Sequence, residues 1–492
     1  VISIHDIANR ELLDLVPYEP GKPVEDVARE LGLDPASIIK LASNENPLGP
    51  APLAMAAMHQ AIASAHFYPD GGGFHLRNAI AEKFGLTKDN VVLGNGSNEI
   101  IELLFHTFTR PGIHEIITAR HAFAVYTLMA QLFGVRAIVV DDVDFTPDLP
   151  AMLRAVTPQT RLIFLASPNN PTGTRLTNEA LDAFLRDLPP HVIAVLDEAY
   201  YEFLDDAPDT IGRMKDGARV VLMRTFSKIQ GLAGLRIGYG LASAEIAGLL
   251  QRARQPFNAN SIAQAGAMAG LADVEHQQKT KAITDEGRRV VEDAFGRMGL
   301  TYVPSAANFV LVHVGDGGEV FKRLMKKGII VRSMVSYHLP EYIRVSIGTP
   351  EQNARFLAEL PAALEGLVKF KRLVADRVSP VAVALRATEE SVPTTCENNF
   401  VEKASVARSA TATTEMATTG AAPENPPAHP ISPPDPDPDE SPERVPVPDP
   451  TPNPEREPAT PDPEPESPSE PMPEPMVGMS LVAADVSPVA VP

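Results

Sequence analysis

The sequence predicts an α/β protein with a mainly parallel, doubly wound sheet in a large domain, a smaller α+β domain, and a disordered C-terminal tail rich in proline and acid. Two observations carry this. Between residues 90 and 225 stand six apolar, β-branched-rich runs, NVVLGNG, EIITA, RAIVV, RLIFLAS, HVIAVLDE and RVVLMRT. Amphipathic stretches such as SNEIIELLFHTF and AVYTLMAQLFG separate several of them. Unbroken apolar runs suit strands buried on both faces, and helices between them make the crossovers of a parallel sheet. The second observation is a sharp change of composition near residue 375.

In chain order, residues 1–40 read as an arm leading into the main sheet, and 41–285 as the large domain. Residues 286–372 form the small domain, with strands in ANFVLVHV, IIVRS and YIRVSIGT, a helix in EVFKRLMKKG and a last helix from about Glu351. From 373 to 492 the chain lacks the apolar side chains that offset chain entropy. Of its 48 prolines, 22 lie between Pro423 and Pro475, so locally extended polyproline character is expected there. The tail reads as a solvated extension or as a docking arm for an unknown partner. No internal repeat is visible.

The net charge of −20 misleads if taken whole. Twenty of the 63 Asp and Glu fall from Glu389 onward, against a handful of Arg and Lys, so the body is nearly balanced. Neither part has the basic stripe of a nucleic-acid binder. No apolar run approaches the roughly 18 to 20 residues of a membrane span, and the N-terminal residues lack a basic-then-apolar signal pattern. The chain opens on Val1, as a truncated or processed N-terminus would. The one cysteine, Cys396, permits no intramolecular disulfide, which fits a reducing, cytoplasmic setting. The twelve histidines show no paired ligand spacing, so no metal is expected.

Ligand groups in open α/β sheets gather at the carboxyl ends of strands. Here NVVLGNGSNE turns through Gly96, Ser97 and Asn98 into a helix, which is either a capped helix start or a phosphate site. RLIFLASPNNPTG closes in a proline-flanked turn holding Asn170, which is either a rigid turn or an outward-facing amide. HVIAVLDEAY ends in Asp197, Glu198 and Tyr200, and RVVLMRTFSK in Thr225, Ser227 and Lys228. Arg236 follows Lys228 in a stretch without a single acidic residue. Each of these alone has a bland structural reading. Together they match one chemistry. A lysine amine condenses with an aldehyde cofactor such as pyridoxal phosphate, a carboxylate pairs with the ring nitrogen, and an amide and a phenol serve the ring oxygen. Hydroxyls, helix-start amides and a cation then serve the phosphate.

SPNNPTG, DEAY, and SK followed by GLAGLRIG resemble the fold-type I, aspartate-aminotransferase-like pyridoxal phosphate enzymes. Within them, VPYEPGKP, LASNENPLGP, YPDGGGFHLRNAIA, DEAYYEF, TFSKIQGLAGLRIGY and VRSMVSYHLPEYIRVSIGTPEQN, in order over roughly residues 10 to 360, are most similar to the histidinol-phosphate aminotransferase branch. The resemblance makes 41–285 the cofactor-binding domain and implies a homodimer. It implies that Lys228 holds the cofactor, Asp197 pairs with its pyridine nitrogen, and Asn170 and Tyr200 bind its phenolic oxygen. Gly96, Ser97, Asn98, Thr225, Ser227 and Arg236 would bind the phosphate, with Tyr68 reaching in from a second subunit. Phe123, in HAFAVY, stands where the family often stacks a tyrosine on the ring.

For the substrate, the resemblance implies that Arg344 binds a carboxylate or phosphate, helped by Arg332 and Tyr18, with Asn170 nearby. Two arginines suit a phosphate dianion. Arg332 as a structural ion-pair partner is the other reading. The implied reaction is transamination of histidinol phosphate with 2-oxoglutarate, giving imidazole-acetol phosphate and glutamate in histidine biosynthesis. An aromatic amino-acid aminotransferase, a threonine-phosphate decarboxylase, and a non-enzymatic scaffold acting through the tail stay open.

Overall fold

In the computed structural model, which describes residues 2–18 and 21–367, all six apolar runs are strands. They are β1 (Val91–Gly94), β2 (Glu115–Ala119), β3 (Arg136–Val140), β4 (Thr160–Ala166), β5 (Ile193–Asp197) and β6 (Val220–Thr225). A seventh strand, β7 (Gly238–Ala242), completes a sheet of order β1-β7-β6-β5-β4-β2-β3. The pairs from β6 to β3 are all parallel, whereas β7 runs antiparallel to both β6 and β1. Two reversals restore the direction, so β1 points the same way as β6. The carboxyl ends of β1, β4, β5 and β6 therefore share one edge.

Both faces of the central strands are covered, which is why they read as near-continuous apolar runs rather than alternating ones. In β5, Ala194 and Leu196 join one core cluster while Ile193 and Val195 join the other. In β4, Ile163 and Leu165 face the first cluster, and Leu162 and Phe164 the second. Each such side chain contributes about 1.5–3 kcal/mol on leaving water, enough for the two cores to fix the strand order.

The second sheet comprises β8 (Tyr302–Val303), β9 (Phe309–His313), β10 (Arg332–Ser333) and β11 (Tyr342–Ser346), in the order β8-β9-β11-β10 and antiparallel throughout. Its register sets Arg332 directly opposite Arg344. The segment ahead of the main sheet divides in two. Residues 24–42 pack through Val27, Ala28, Ile38 and Ala42 on Ile330, and Ile39–Lys40 pairs in parallel with Ile329–Ile330. Upstream, Ile2, Ile4, Ile7 and Val16 stay largely exposed. The tail expected from residue 373 lies outside the described residues. Among the described residues no helix is long and apolar enough to cross a membrane, and no cluster of His, Cys, Asp and Glu is placed to hold a metal ion.

Candidate active site

The shared edge of the main sheet opens into a cavity of about 490 Å³, floored by the strand ends and walled by residues 42–45 and by the second sheet. Thirteen of the residues singled out in the sequence line it: Tyr18, Ser97, Asn98, Phe123, Asn170, Asp197, Tyr200, Thr225, Ser227, Lys228, Arg236, Arg332 and Arg344. Gly96 stands just behind, with φ of +72°. A Cβ built there would fall 2.4 Å from Arg236 Nη2, so glycine is what lets the guanidinium lie over the turn. Tyr68 is elsewhere, 82% exposed and stacked on Phe257 with ring centroids 4.7 Å apart.

Lys228 follows β6 directly, and its half-buried amine donates to the carbonyl of Ser43 at 3.2 Å. Burial, with Arg344 nearby, outweighs the opposing effect of Glu45 and brings that amine down to about 8. A desolvated amine near neutrality is the nucleophile that aldehyde chemistry needs. Asp197 ends β5 as a buried carboxylate. Its Oδ2 accepts from the Tyr126 hydroxyl at 2.6 Å and its Oδ1 from the backbone of Ala199 at 3.2 Å. Burial pushes its protonation upward, and the Tyr126 bond opposes that.

Strand alternation separates the two acids of DEAY. Asp197 faces the cavity, whereas Glu198 turns away to pair with Arg224 at 2.8 Å in the interior. The turn after β4 divides the asparagines of SPNNPTG. Asn169 is fully buried, donating to the carbonyl of His121 at 2.7 Å and to Thr172 Oγ1 at 2.8 Å, so it builds the turn that presents Asn170. Arg344 donates through Nη1 to Asn170 Oδ1 and through Nη2 to the carbonyl of Ala42 at 2.8 Å. Its Nε is buried with no partner in the protein. Arg332 lies 5.7 Å from the ring centre of Tyr18.

Two residues not singled out in the sequence prove to belong to the site. Asn44, at φ of +55°, donates through Nδ2 to the Tyr200 hydroxyl at 2.8 Å, and Ser346 holds it on both sides. The only signal was the polar ASNENP run. The other is Tyr126, whose helical, apolar context (VYTLMAQL) reads as core.

The donor set fits pyridoxal phosphate. Four cations, Lys228, Arg236, Arg332 and Arg344, line the cavity against two carboxylates, Asp197 and Glu45, an excess suited to phosphate and carboxylate groups. The helix Ser97–Phe108 begins at the cavity wall beside Arg236 and the hydroxyls of Thr225 and Ser227, which bond each other at 2.8 Å. The orphaned Arg344 Nε calls for an anion, since a buried charged donor without one is costly.

Comparison with known proteins agrees. Residues 36–360 match the family Aminotransferase class I and II. A histidinol-phosphate aminotransferase of Akkermansia muciniphila is 48% identical over 364 residues, covering 74% of this chain and 100% of the relative. Histidinol-phosphate aminotransferase 2 of Ralstonia nicotianae is 49% identical over 356 residues, 71% of this chain and 95% of the relative. The crystal structure of the Sinorhizobium meliloti histidinol-phosphate aminotransferase, in complex with pyridoxal-5'-phosphate, superposes with a TM-score of 0.68 at 29% identity, covering 73% of this chain and 98% of that one. The chain belongs to the class I and II aminotransferase family, within it to the histidinol-phosphate aminotransferases, and is a pyridoxal-phosphate-dependent aminotransferase.

Proposed function

We propose that the protein moves the amino group between histidinol phosphate and 2-oxoglutarate, the transamination that serves histidine biosynthesis. The observation that supports this substrate is the pairing of Arg332 and Arg344 across β10 and β11, beside Tyr18, in the same cavity as Lys228 and Asp197. Like charges set directly opposite each other on a sheet are unfavourable alone. A phosphate ester between them turns that cost into binding, and the carboxylate of glutamate uses Arg344 in the other half of the reaction.

When bound, pyridoxal phosphate supplies an electron-withdrawing ring that accepts the electrons of a C–H bond beside nitrogen. Lys228 would hold the cofactor, and its Nζ would serve as the base that moves the proton of the substrate's amine-bearing carbon. Asp197 would pair with the ring nitrogen and keep it protonated. Asn170 Oδ1 is occupied by Arg344 and the Tyr200 oxygen by Asn44, so the Asn170 amide N–H and the Tyr200 O–H are left to donate to the ring oxygen. Phe123 offers an apolar stacking face. Gly96, Ser97, Asn98, Thr225, Ser227 and Arg236 hold the phosphate.

A homodimer is part of this reading. Tyr68, with neighbouring exposed Phe67 and Phe257, is large apolar surface facing away from its own cavity, suited to entering a partner's. A cytoplasmic setting belongs to it as well, there being one cysteine and no disulfide to protect.

Purified protein offered histidinol phosphate, phenylalanine or threonine phosphate with 2-oxoglutarate tests the substrate. Glutamate formation fastest with histidinol phosphate is expected. Preference for phenylalanine, or carbon dioxide released from threonine phosphate, would overturn the proposal.

A further inference from the structure

Tyr126 is fully buried on the helix Val125–Leu132. Its ring stacks on Phe164 of β4, with centroids 4.7 Å apart and planes 17° off parallel, and meets Phe123 edge-on at 5.7 Å. That packing leaves the hydroxyl one place to go, Asp197 Oδ2 at 2.6 Å. Burial and the facing carboxylate push the phenol well above its ordinary value, which favours the protonated, donating form. With Ala199 N–H on the other oxygen, both arms of Asp197 are tethered.

We propose that Tyr126 is a positioning residue, whose hydroxyl fixes the Asp197 carboxylate in one orientation and thereby sets the protonation of the cofactor's ring nitrogen. A buried carboxylate drifts toward its neutral form, and a neutral Asp197 no longer holds a proton on that nitrogen. The short bond from a neutral phenol favours the charged form without adding a competing cation. The helix that begins just after Phe123 thus serves two purposes, placing a ring for the cofactor's face and a hydroxyl behind its carboxylate. The inference rests on the assignment of Asp197 to the ring nitrogen.

Tyr126→Phe removes the hydroxyl and keeps both ring contacts. Apoprotein of the wild type, Tyr126→Phe, Asp197→Asn and the double variant is titrated with pyridoxal phosphate labelled with 15N in the ring. Two quantities are read, the dissociation constant and the nitrogen resonance. Tyr126→Phe is expected to raise the dissociation constant about tenfold, the size of one hydrogen bond to a charged group. The resonance should move from its protonated toward its neutral position. In the Asp197→Asn background the same substitution should change neither by more than about twofold, since the pair acts as a unit. Equal effects in both backgrounds, or an unmoved resonance in Tyr126→Phe while Asp197→Asn shifts it, would overturn the inference alone. A resonance unmoved in Asp197→Asn itself would overturn the assignment of Asp197 and the inference with it.

Discussion

Arg332 and Arg344 are register partners across the antiparallel pair β10–β11, two guanidinium-bearing residues side by side at the cavity wall. Arg344 is tied to Asn170 and to the carbonyl of Ala42. Arg332 lies against Tyr18. Arg332→Gln leaves Arg344 to hold a carboxylate and should weaken the phosphorylated substrate selectively. A charge-assisted hydrogen bond contributes about 1.5–3 kcal/mol, so KM for histidinol phosphate should rise roughly 10- to 100-fold. KM for glutamate should change by less than about fivefold. Steady-state kinetics of both half-reactions checks this, and equal losses for both substrates would assign Arg332 to scaffolding.

The charge around Lys228 fixes a pH dependence whose sign can be argued. Only the neutral amine attacks an aldehyde, and burial with Arg344 brings its midpoint down to about 8. The rate at which apoprotein captures pyridoxal phosphate should rise with pH and level off above that midpoint, well below the ordinary lysine value of about 10.4. Arg344→Gln should move the midpoint up, because Arg344 lowers it. Glu45→Gln should move it down, because Glu45 raises it. Between about pH 8 and the ordinary lysine value the unfolded chain binds more protons, so this lysine's contribution makes the apoprotein more stable as pH rises through that window. Stopped-flow absorbance across pH 6–10 decides, and shifts of the same sign in both variants would refute the account.

Asn44 combines a left-handed backbone with a donor to Tyr200, and the two roles separate by substitution. Asn44→Gly keeps φ accessible and removes only the side-chain bonds to Tyr200 and Ser346. It should lower kcat/KM about tenfold with a modest stability loss. Asn44→Ala loses the same bonds and adds left-handed strain of roughly 1–2 kcal/mol. Urea unfolding of the two variants should therefore differ while their kcat/KM values stay close. Matching stabilities would show that the backbone relaxes.

What could be read from the sequence, and what could not, follows from how local each signal is. The six strands of continuous Val, Ile and Leu announce themselves, and the polar residues at their ends mark the cavity edge. The strand Gly238–Ala242 did not, because GYGLA has low strand propensity and is a strand only through its pairing with β6 and β1. Gly238 is required there, since a Cβ would come within 2.7 Å of Ser97 N. Tyr126 looks like core at helical spacing, and its hydroxyl acquires a purpose only when β5 brings Asp197 to it from 71 residues away. Glu198 is the converse case: legible as an acid beside Asp197, it serves the interior.

That interior pair yields the largest stability prediction. Arg224 is 1% exposed and bonded through Nε to Glu198 Oε2 at 2.8 Å, with the Tyr201 ring 3.7 Å from its guanidinium carbon. Thr210 donates to the other carboxylate oxygen at 2.6 Å. Glu198→Gln strips the larger of the two carboxylate charges that offset the buried guanidinium, Glu202 being the other, while leaving the shape and most hydrogen bonds in place. Removing one partner of a buried pair costs about 3–5 kcal/mol, far more than a surface ion pair contributes. The double variant Glu198→Gln/Arg224→Met removes the cation as well and should recover most of that loss, since methionine fills the space beside Tyr201 without needing a counterion. Denaturant unfolding of the four proteins closes the cycle. A double variant no more stable than Glu198→Gln would mean that Arg224 holds the fold through Tyr201 and its neighbours rather than through Glu198.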